Sequence, residues 1–224
     1  SLIKSNGKTI DLLECVSGKQ FHFDITNCFE RMQNLIDDLL AFSRTNKADN
    51  VFELTDLNIL LENSTQELAQ TIEDKKAVIN ASFLPTVNVI PFQIQQLFTN
   101  LIGNALKYSK SNIIPVVTIQ TEIVFGKEIV RSTFTDDNKL YKITVSDNGI
   151  GFEDKYSEDI FTLFNRLHSN SEYSGTGIGL TICKKIAENH KGFITAEGIP
   201  NVGSRFTFYL PANETTQNKA NKPT

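Results

Sequence analysis

Between Pro91 and Ser109 the sequence spells an amphipathic helix with an uncommon polar face. Pro91 suits the first turn, where its missing N–H costs nothing. At about 100° per residue, Gln93, Gln96, Asn100, Asn104 and Lys107 fall within an arc of about 80°. Ile94, Leu97, Phe98, Leu101, Ile102 and Ala105 take the other side, which has to be buried. Two asparagines are poor local choices inside a helix, because their amides compete for backbone hydrogen bonds. A plain solvated face explains the stripe as well as a ligand does on spacing alone.

Other elements group around this helix. From Ile25 to Phe42 apolar residues recur at steps of three and four, which predicts a helix in need of a partner. Thr45 to Asn50 reads as a linker and Val51 to Leu54 as a short strand. Thr55 and Asp56 offer N-caps for a helix from Leu57 to about Lys75. Ala77 to Phe83 and Val87 to Ile90 are β-like runs separated by a Pro85 turn. Val116 to Phe125 and Leu140 to Asp147, rich in Val, Ile and Thr, are the strongest strands. A short helix is expected near Ser157 to Phe164 and another from Gly179 to about His190. Phe193 to Glu197 and Ser204 to Leu210 are expected to form a hairpin around Pro200 to Gly203, and the tail from Ala212 is too polar to order itself.

Composition removes several classes. A net charge of −4 over 224 residues, with no Lys/Arg cluster, argues against a nucleic-acid surface. Cys15, Cys28 and Cys183 are far apart and odd in number, which suggests inert thiols in a reducing compartment rather than a disulfide framework or metal knuckle. No apolar run approaches the roughly 20 residues of a membrane span, so this region is expected to be cytoplasmic. Any membrane contact is expected only through segments upstream of Ser1.

Three stretches carry chemistry. The amide oxygen of Asn104 suits magnesium, which prefers hard oxygen ligands and retains phosphates and waters. Lys107, one turn on, can meet a phosphate; Tyr108 can pack on a nucleobase or simply in the core. Asp147-Asn148-Gly149-Ile150-Gly151 ends a strand with a carboxylate able to accept from adenine's exocyclic amine, where guanine offers a carbonyl. A strand-ending turn is the plain alternative. Gly175-Thr176-Gly177-Ile178-Gly179-Leu180 opens a helix whose free N–H groups suit a polyphosphate. It lacks the Gly-Lys-Ser/Thr of a P-loop and the preceding strand of a Rossmann turn, and a flexible lid from Arg166 to Tyr173 fits better.

In this order the stretches resemble the N, G1 and G2 boxes of sensor histidine kinases. Leu97 to Ser109 is similar to the N box throughout, Phe161 and Phe164 resemble the F box, and Gly203-Ser204-Arg205-Phe206-Thr207-Phe208 resembles the last glycine motif. Arg166-Leu167-His168-Ser169 resembles the lid of phytochrome-type kinases. The resemblance covers roughly Phe29 to Pro211. It implies an α/β two-layer fold: a mixed, mostly antiparallel sheet with helices on one face, preceded by a helical dimerisation segment. The implied division is 1–46 for that partial helical domain, 47–211 for the ATP-binding domain and 212–224 for a disordered tail.

The resemblance further implies ATP and Mg2+. Asn104 would bind the metal, and Asn100 and Lys107 would face the phosphates. Tyr108 would stack near adenine and Asp147 would hold its amine. Gly149 and Gly151 would shape the base pocket; Gly175, Gly177, Gly179 and Leu180 would line the phosphates; Thr207 would sit behind the adenine, and Arg166 would contact a phosphate. Implied partners are a response-regulator receiver domain and a second copy through the N-terminal helix. The family's acceptor, a histidine followed by Glu or Asp, has no match: His22 precedes Phe23, His168 belongs to the lid, and His190 at a helix C-terminus would suit the dipole. An ATP-gated interaction module and a gyrase- or chaperone-type ATPase are the rival readings.

Overall fold

The computed structural model describes residues 51–126, 138–165 and 176–212, with isolated positions 32, 33 and 36. Those three are helical, with Met32 and Ile36 more than half exposed. The rest of the expected Ile25–Phe42 helix, the lid and the tail beyond 212 lie outside the described residues.

The elements are β1 (Glu53–Asp56), α1 (Leu57–Glu67), α2 (Ala69–Lys75), β2 (Val78–Ala81), β3 (Thr86–Val89), α3 (Pro91–Lys107), β4 (Val116–Phe125), β5 (Lys139–Asp147), α4 (Gly179–Asn189), β6 (Phe193–Ile199) and β7 (Gly203–Pro211). Five strands form one sheet in the order β2-β4-β5-β7-β6, parallel only between β2 and β4; β1 and β3 make a separate antiparallel ribbon. The helices cover one face. Ile94, Leu97, Phe98, Leu101 and Ile102 of α3 are fully buried with Val117, Ile119, Ile143 and Phe208 of the sheet. Phe98 and Phe208 meet edge to face at 5.8 Å, joining the two layers. The two-layer expectation holds.

Local chemistry sets the boundaries. Asp56 caps α1 by accepting from the Asn58 N–H at 2.9 Å. The single helix expected from Leu57 to Lys75 breaks at Leu68. Ser64 bonds back to the Leu60 carbonyl at 2.8 Å and across to the Gln95 carbonyl at 3.0 Å, which ties α1 to α3 and favours a bend. The two β-like runs around Pro85 are strands, but of different sheets. Asn58 donates to the Leu84 carbonyl at 2.8 Å and accepts from the Leu84 N–H at 2.9 Å. That clamp buries Leu84 and sends the chain away from β2 to pair with β1. The helix expected near Ser157–Phe164 is instead a pair of 3-10 turns, Asp159–Phe161 being the second; Phe164 has φ +61, which no helix continues.

Candidate nucleotide site

α3, the β5 end, β7 and the start of α4 enclose a pocket lined by Asn104, Tyr108, Asp147, Ile150, Gly151, Phe152, Ile160, Asn165, Leu180, Ser204 and Phe206. Its space, open mouth included, is about 590 Å³, a small-molecule size. Apolar side chains dominate one wall and Asp147 stands among them.

The Asp147 carboxylate is held by its own turn and by the neighbouring strand. Its Oδ1 accepts from the Gly149 N–H at 2.8 Å and the Ser204 N–H at 3.1 Å. Burial raises its pKa above the usual carboxylate range, opposed by those two N–H groups, the Ser204 hydroxyl and the charge of Lys110. A carboxylate offers about four lone-pair sites, so acceptor capacity remains for a ligand. The turn leaves no room for side chains. A Cβ on Gly149 would lie 2.6 Å from the Tyr108 carbonyl oxygen, and one on Gly151, at φ +65, would collide with the Ile199 carbonyl. The Ile150 N–H donates to that same Tyr108 carbonyl at 3.0 Å, so the ends of α3 and β5 are tied together. Asn148 has a different task, fixing the loop before β4: it accepts from the Val116 N–H and donates to the Ile114 carbonyl, both at 2.9 Å.

On α3, Asn104 lines the pocket and its side-chain amide makes no hydrogen bond among the described residues. Lys107 stands 4.6 Å above the Tyr108 ring and has no carboxylate partner among the described residues. The polar stripe is not simply solvated. Gln93 is fully buried, and the Asn100 amide donates to the Gly179 carbonyl at 3.3 Å, so α4 covers part of it. Gly177, at φ +77, accepts from the Phe164 N–H at 3.1 Å. α4 then begins at Gly179 with no side-chain cap, which leaves its first N–H groups for an anion.

One expected residue is misplaced. Thr207 faces away from the pocket: its hydroxyl lies 3.2 Å from that of Thr144 on the opposite face of the sheet. Strand alternation puts Ser204 and Phe206 on the pocket side instead, and those two line it. Ile150, Phe152, Ile160 and Asn165 also line the pocket, and none of them is among the site residues the sequence predicts. Arg166 and Gly175 lie outside the described residues. Among the described residues no group of three or more His, Cys, Asp and Glu could hold a metal; the donor available here is the amide of Asn104, which fits magnesium only in company with phosphate oxygens and water.

The family model for histidine kinase-, DNA gyrase B- and HSP90-like ATPases matches residues 90–214, more than half of the chain. The chain belongs to this ATPase family. Cyanobacterial phytochrome A of Nostoc sp. is 38% identical over 190 residues, covering 85% of this chain and 23% of that protein. Adaptive-response sensory kinase SasA of Synechococcus sp. is 31% identical over 186 residues, covering 81% of this chain and 46% of that protein. The chain thus spans less than half of either relative's length. Full-length ShkA in complex with AMPPNP shares the fold, with a TM-score of 0.62 at 22% identity over 79% of this chain and 35% of that one. The ATPase segment is the ATP-binding domain type of sensor histidine kinases, with relatives in two-component signalling. No helix among the described residues is long and apolar enough to cross a membrane.

Proposed function

We propose that the domain holds ATP with its adenine amine on Asp147 and delivers the γ-phosphoryl group to a histidine, from which it passes to an aspartate of a response regulator. The observation that carries the reading is a half-buried carboxylate, oriented by two backbone donors, in an apolar pocket that opens toward an uncapped helix N-terminus. Tyr108, Gly149 and Gly151 shape the base end. Asn100, Lys107, Gly177, Gly179 and Leu180 serve the phosphate end, with Arg166 added from the lid and Gly175 from the start of the glycine run. Thr207 has no place in this site.

Asn104 would hold magnesium by its amide oxygen. When bound, the ion neutralises phosphate charge. Lys107 and the first N–H groups of α4 add fixed positive charge around the transferring group, and the helices exclude water from the base. In the transfer the unprotonated nitrogen of the histidine ring bonds to the γ phosphorus, the bond from that phosphorus to its bridging oxygen breaks and ADP leaves, and the proton on the other ring nitrogen passes to solvent. The domain supplies position and charge rather than a nucleophile.

Residues 1–46 are proposed as part of a dimerisation domain, 47–211 as the ATP-binding domain and 212–224 as a tail, with the acceptor histidine supplied from outside these 224 residues. Incubation with γ-labelled ATP should leave the chain unlabelled, while a helical hairpin bearing a His-Glu or His-Asp acceptor, added in trans, should gain an acid-labile phosphoramidate. Acid-labile label on the chain alone, lost in His22→Ala, would mean the acceptor is misplaced. ATP binding without transfer to the hairpin would favour an interaction module.

A further inference from the structure

The pocket's two flanking helices, α3 and α4, run antiparallel along a line of polar links that begins at the phosphate end and continues past the residues the nucleotide reading uses. At the pocket end the Asn100 amide donates to the Gly179 carbonyl at 3.3 Å. Midway, Cys183 Sγ lies 4.0 Å from the Leu97 carbonyl. Beyond it the Asn189 amide donates to Gln93 Oε1 at 3.2 Å. At the far end His190, 4% exposed, accepts from the Ile90 N–H through Nε2 at 2.9 Å. Because Nε2 accepts, the neutral ring carries its proton on Nδ1, which donates to the Ile186 carbonyl at 2.7 Å.

Ile90 is the residue on which α3 starts: its carbonyl accepts from Gln93 and Ile94, while the β1–β3 ladder stops one residue earlier, at Val89. The Ile90 N–H is therefore buried and beyond the ladder, and an unpaired donor there would be costly. The imidazole satisfies it from a position one hundred residues on in sequence. Phe52 closes over the ring edge-on at 5.2 Å. α4 is one rigid helix, so fixing its C-terminal end fixes its N-terminal end. A slip of one residue along α3 would move Gly179 and Leu180 by about 1.5 Å, and shifts near 1 Å in a reacting group matter.

We propose that His190 is a positioning residue for the phosphate end of the site, setting the axial register of α4 on α3 and so the spacing of Gly177 and Gly179 from Asn100 and Asn104. The inference rests on the ATP reading above. It also predicts a split between ligands. The base end is tied by the Ile150–Tyr108, Gly149–Asp147 and Ser204–Asp147 bonds, none of which involves α4. Of α4, Leu180 alone reaches that pocket.

The test compares the dissociation constants of magnesium-ATP and of adenosine for the whole chain, wild type, His190→Gln and His190→Asn. The Gln amide oxygen reaches the place of Nε2 and can accept from Ile90. The Asn side chain reaches only the place of Nδ1, keeps the Ile186 bond and leaves the Ile90 N–H unpaired. His190→Asn should lose about tenfold in ATP affinity and much less in adenosine affinity, since Leu180 is the one α4 residue that lines the base pocket, and His190→Gln should restore most of the loss. Equal losses for ATP and adenosine, or ATP binding at the wild-type level in His190→Asn, would overturn the proposal. If His190→Asn fails to fold, Asn189→Ala removes the neighbouring link from a half-buried side chain and should show the same split more weakly; no split there would also overturn it. A wild-type chain that binds ATP no more tightly than adenosine would instead overturn the ATP reading itself, and this inference with it.

Discussion

Asp147→Asn separates what the carboxylate does for the ligand from what it costs the fold. The asparagine oxygen can keep both backbone bonds, from Gly149 and Ser204, because those need only an acceptor. What changes is the other edge. An NH2 group then meets adenine's own amine, two donors face to face, and one charge-assisted hydrogen bond is lost. Such a bond is worth about 1.5–3 kcal/mol, so ATP affinity should fall roughly 10- to 150-fold. Guanine's carbonyl would accept from the new amide, so the preference for ATP over GTP should narrow or invert. Stability should move the other way. Burial raises the pKa of Asp147, so its charged form costs folding free energy. With a folded pKa above the unfolded one, the wild type gains stability as pH falls through the folded value and loses it as pH rises. The variant lacks that penalty, and its Tm near neutral pH should equal or exceed that of the wild type. Calorimetry with both nucleotides and a thermal melt read the two effects. Unchanged ATP affinity in a folded variant would refute the base-pocket assignment, and a lowered Tm would refute the burial argument.

Lys107→Met should weaken magnesium-ATP binding about tenfold while sparing adenosine, since only the phosphates need its charge; competition binding decides. Asn104→Ala should make ATP affinity nearly insensitive to magnesium, read by titration with and without EDTA. Thr207→Val should leave ATP affinity unchanged and cost about 0.5–1.5 kcal/mol of stability through the lost Thr144 contact, seen in urea unfolding. Burial holds the pKa of His190 below its ordinary value, partly offset by the Ile186 carbonyl. Its stabilising neutral form is therefore fully favoured above an unfolded pKa of about 6.5 and lost as pH falls through the depressed folded value, a pH dependence that His190→Gln should remove in denaturation between pH 8 and 5.

The residues that line the candidate site are partly legible in sequence, where its parts are local. Pro91 and the three-four spacing set the bounds of α3, and β-branched runs mark β4 and β5 without giving their register. Asp147 and the glycines that admit the Tyr108 and Ile199 carbonyls stand in one short turn. Pairing was not legible: nothing local tells that β2 runs parallel to β4 while β3 turns to β1, because Asn58 decides it from 26 residues away. The facing of Thr207 is readable from its own strand, against the expectation that it sits behind the adenine. Phe206, Phe208 and Leu210 alternate into the core, which already places Thr207 on the other face. In sequence His190 stands at a helix end where a charge would suit the dipole, but burial and the distant Ile90 N–H make it a neutral acceptor. Cys183 met the expectation of an inert thiol, with burial between the helices pushing its pKa up to about 12.

A crystal structure of the chain with a non-hydrolysable ATP analogue and magnesium tests the central claim most directly. The account predicts adenine's exocyclic amine within hydrogen-bonding distance of the Asp147 carboxylate, the phosphates at the first N–H groups of α4, and the metal on the Asn104 amide oxygen. A nucleotide bound elsewhere, or one whose base leaves Asp147 without a contact, would contradict it.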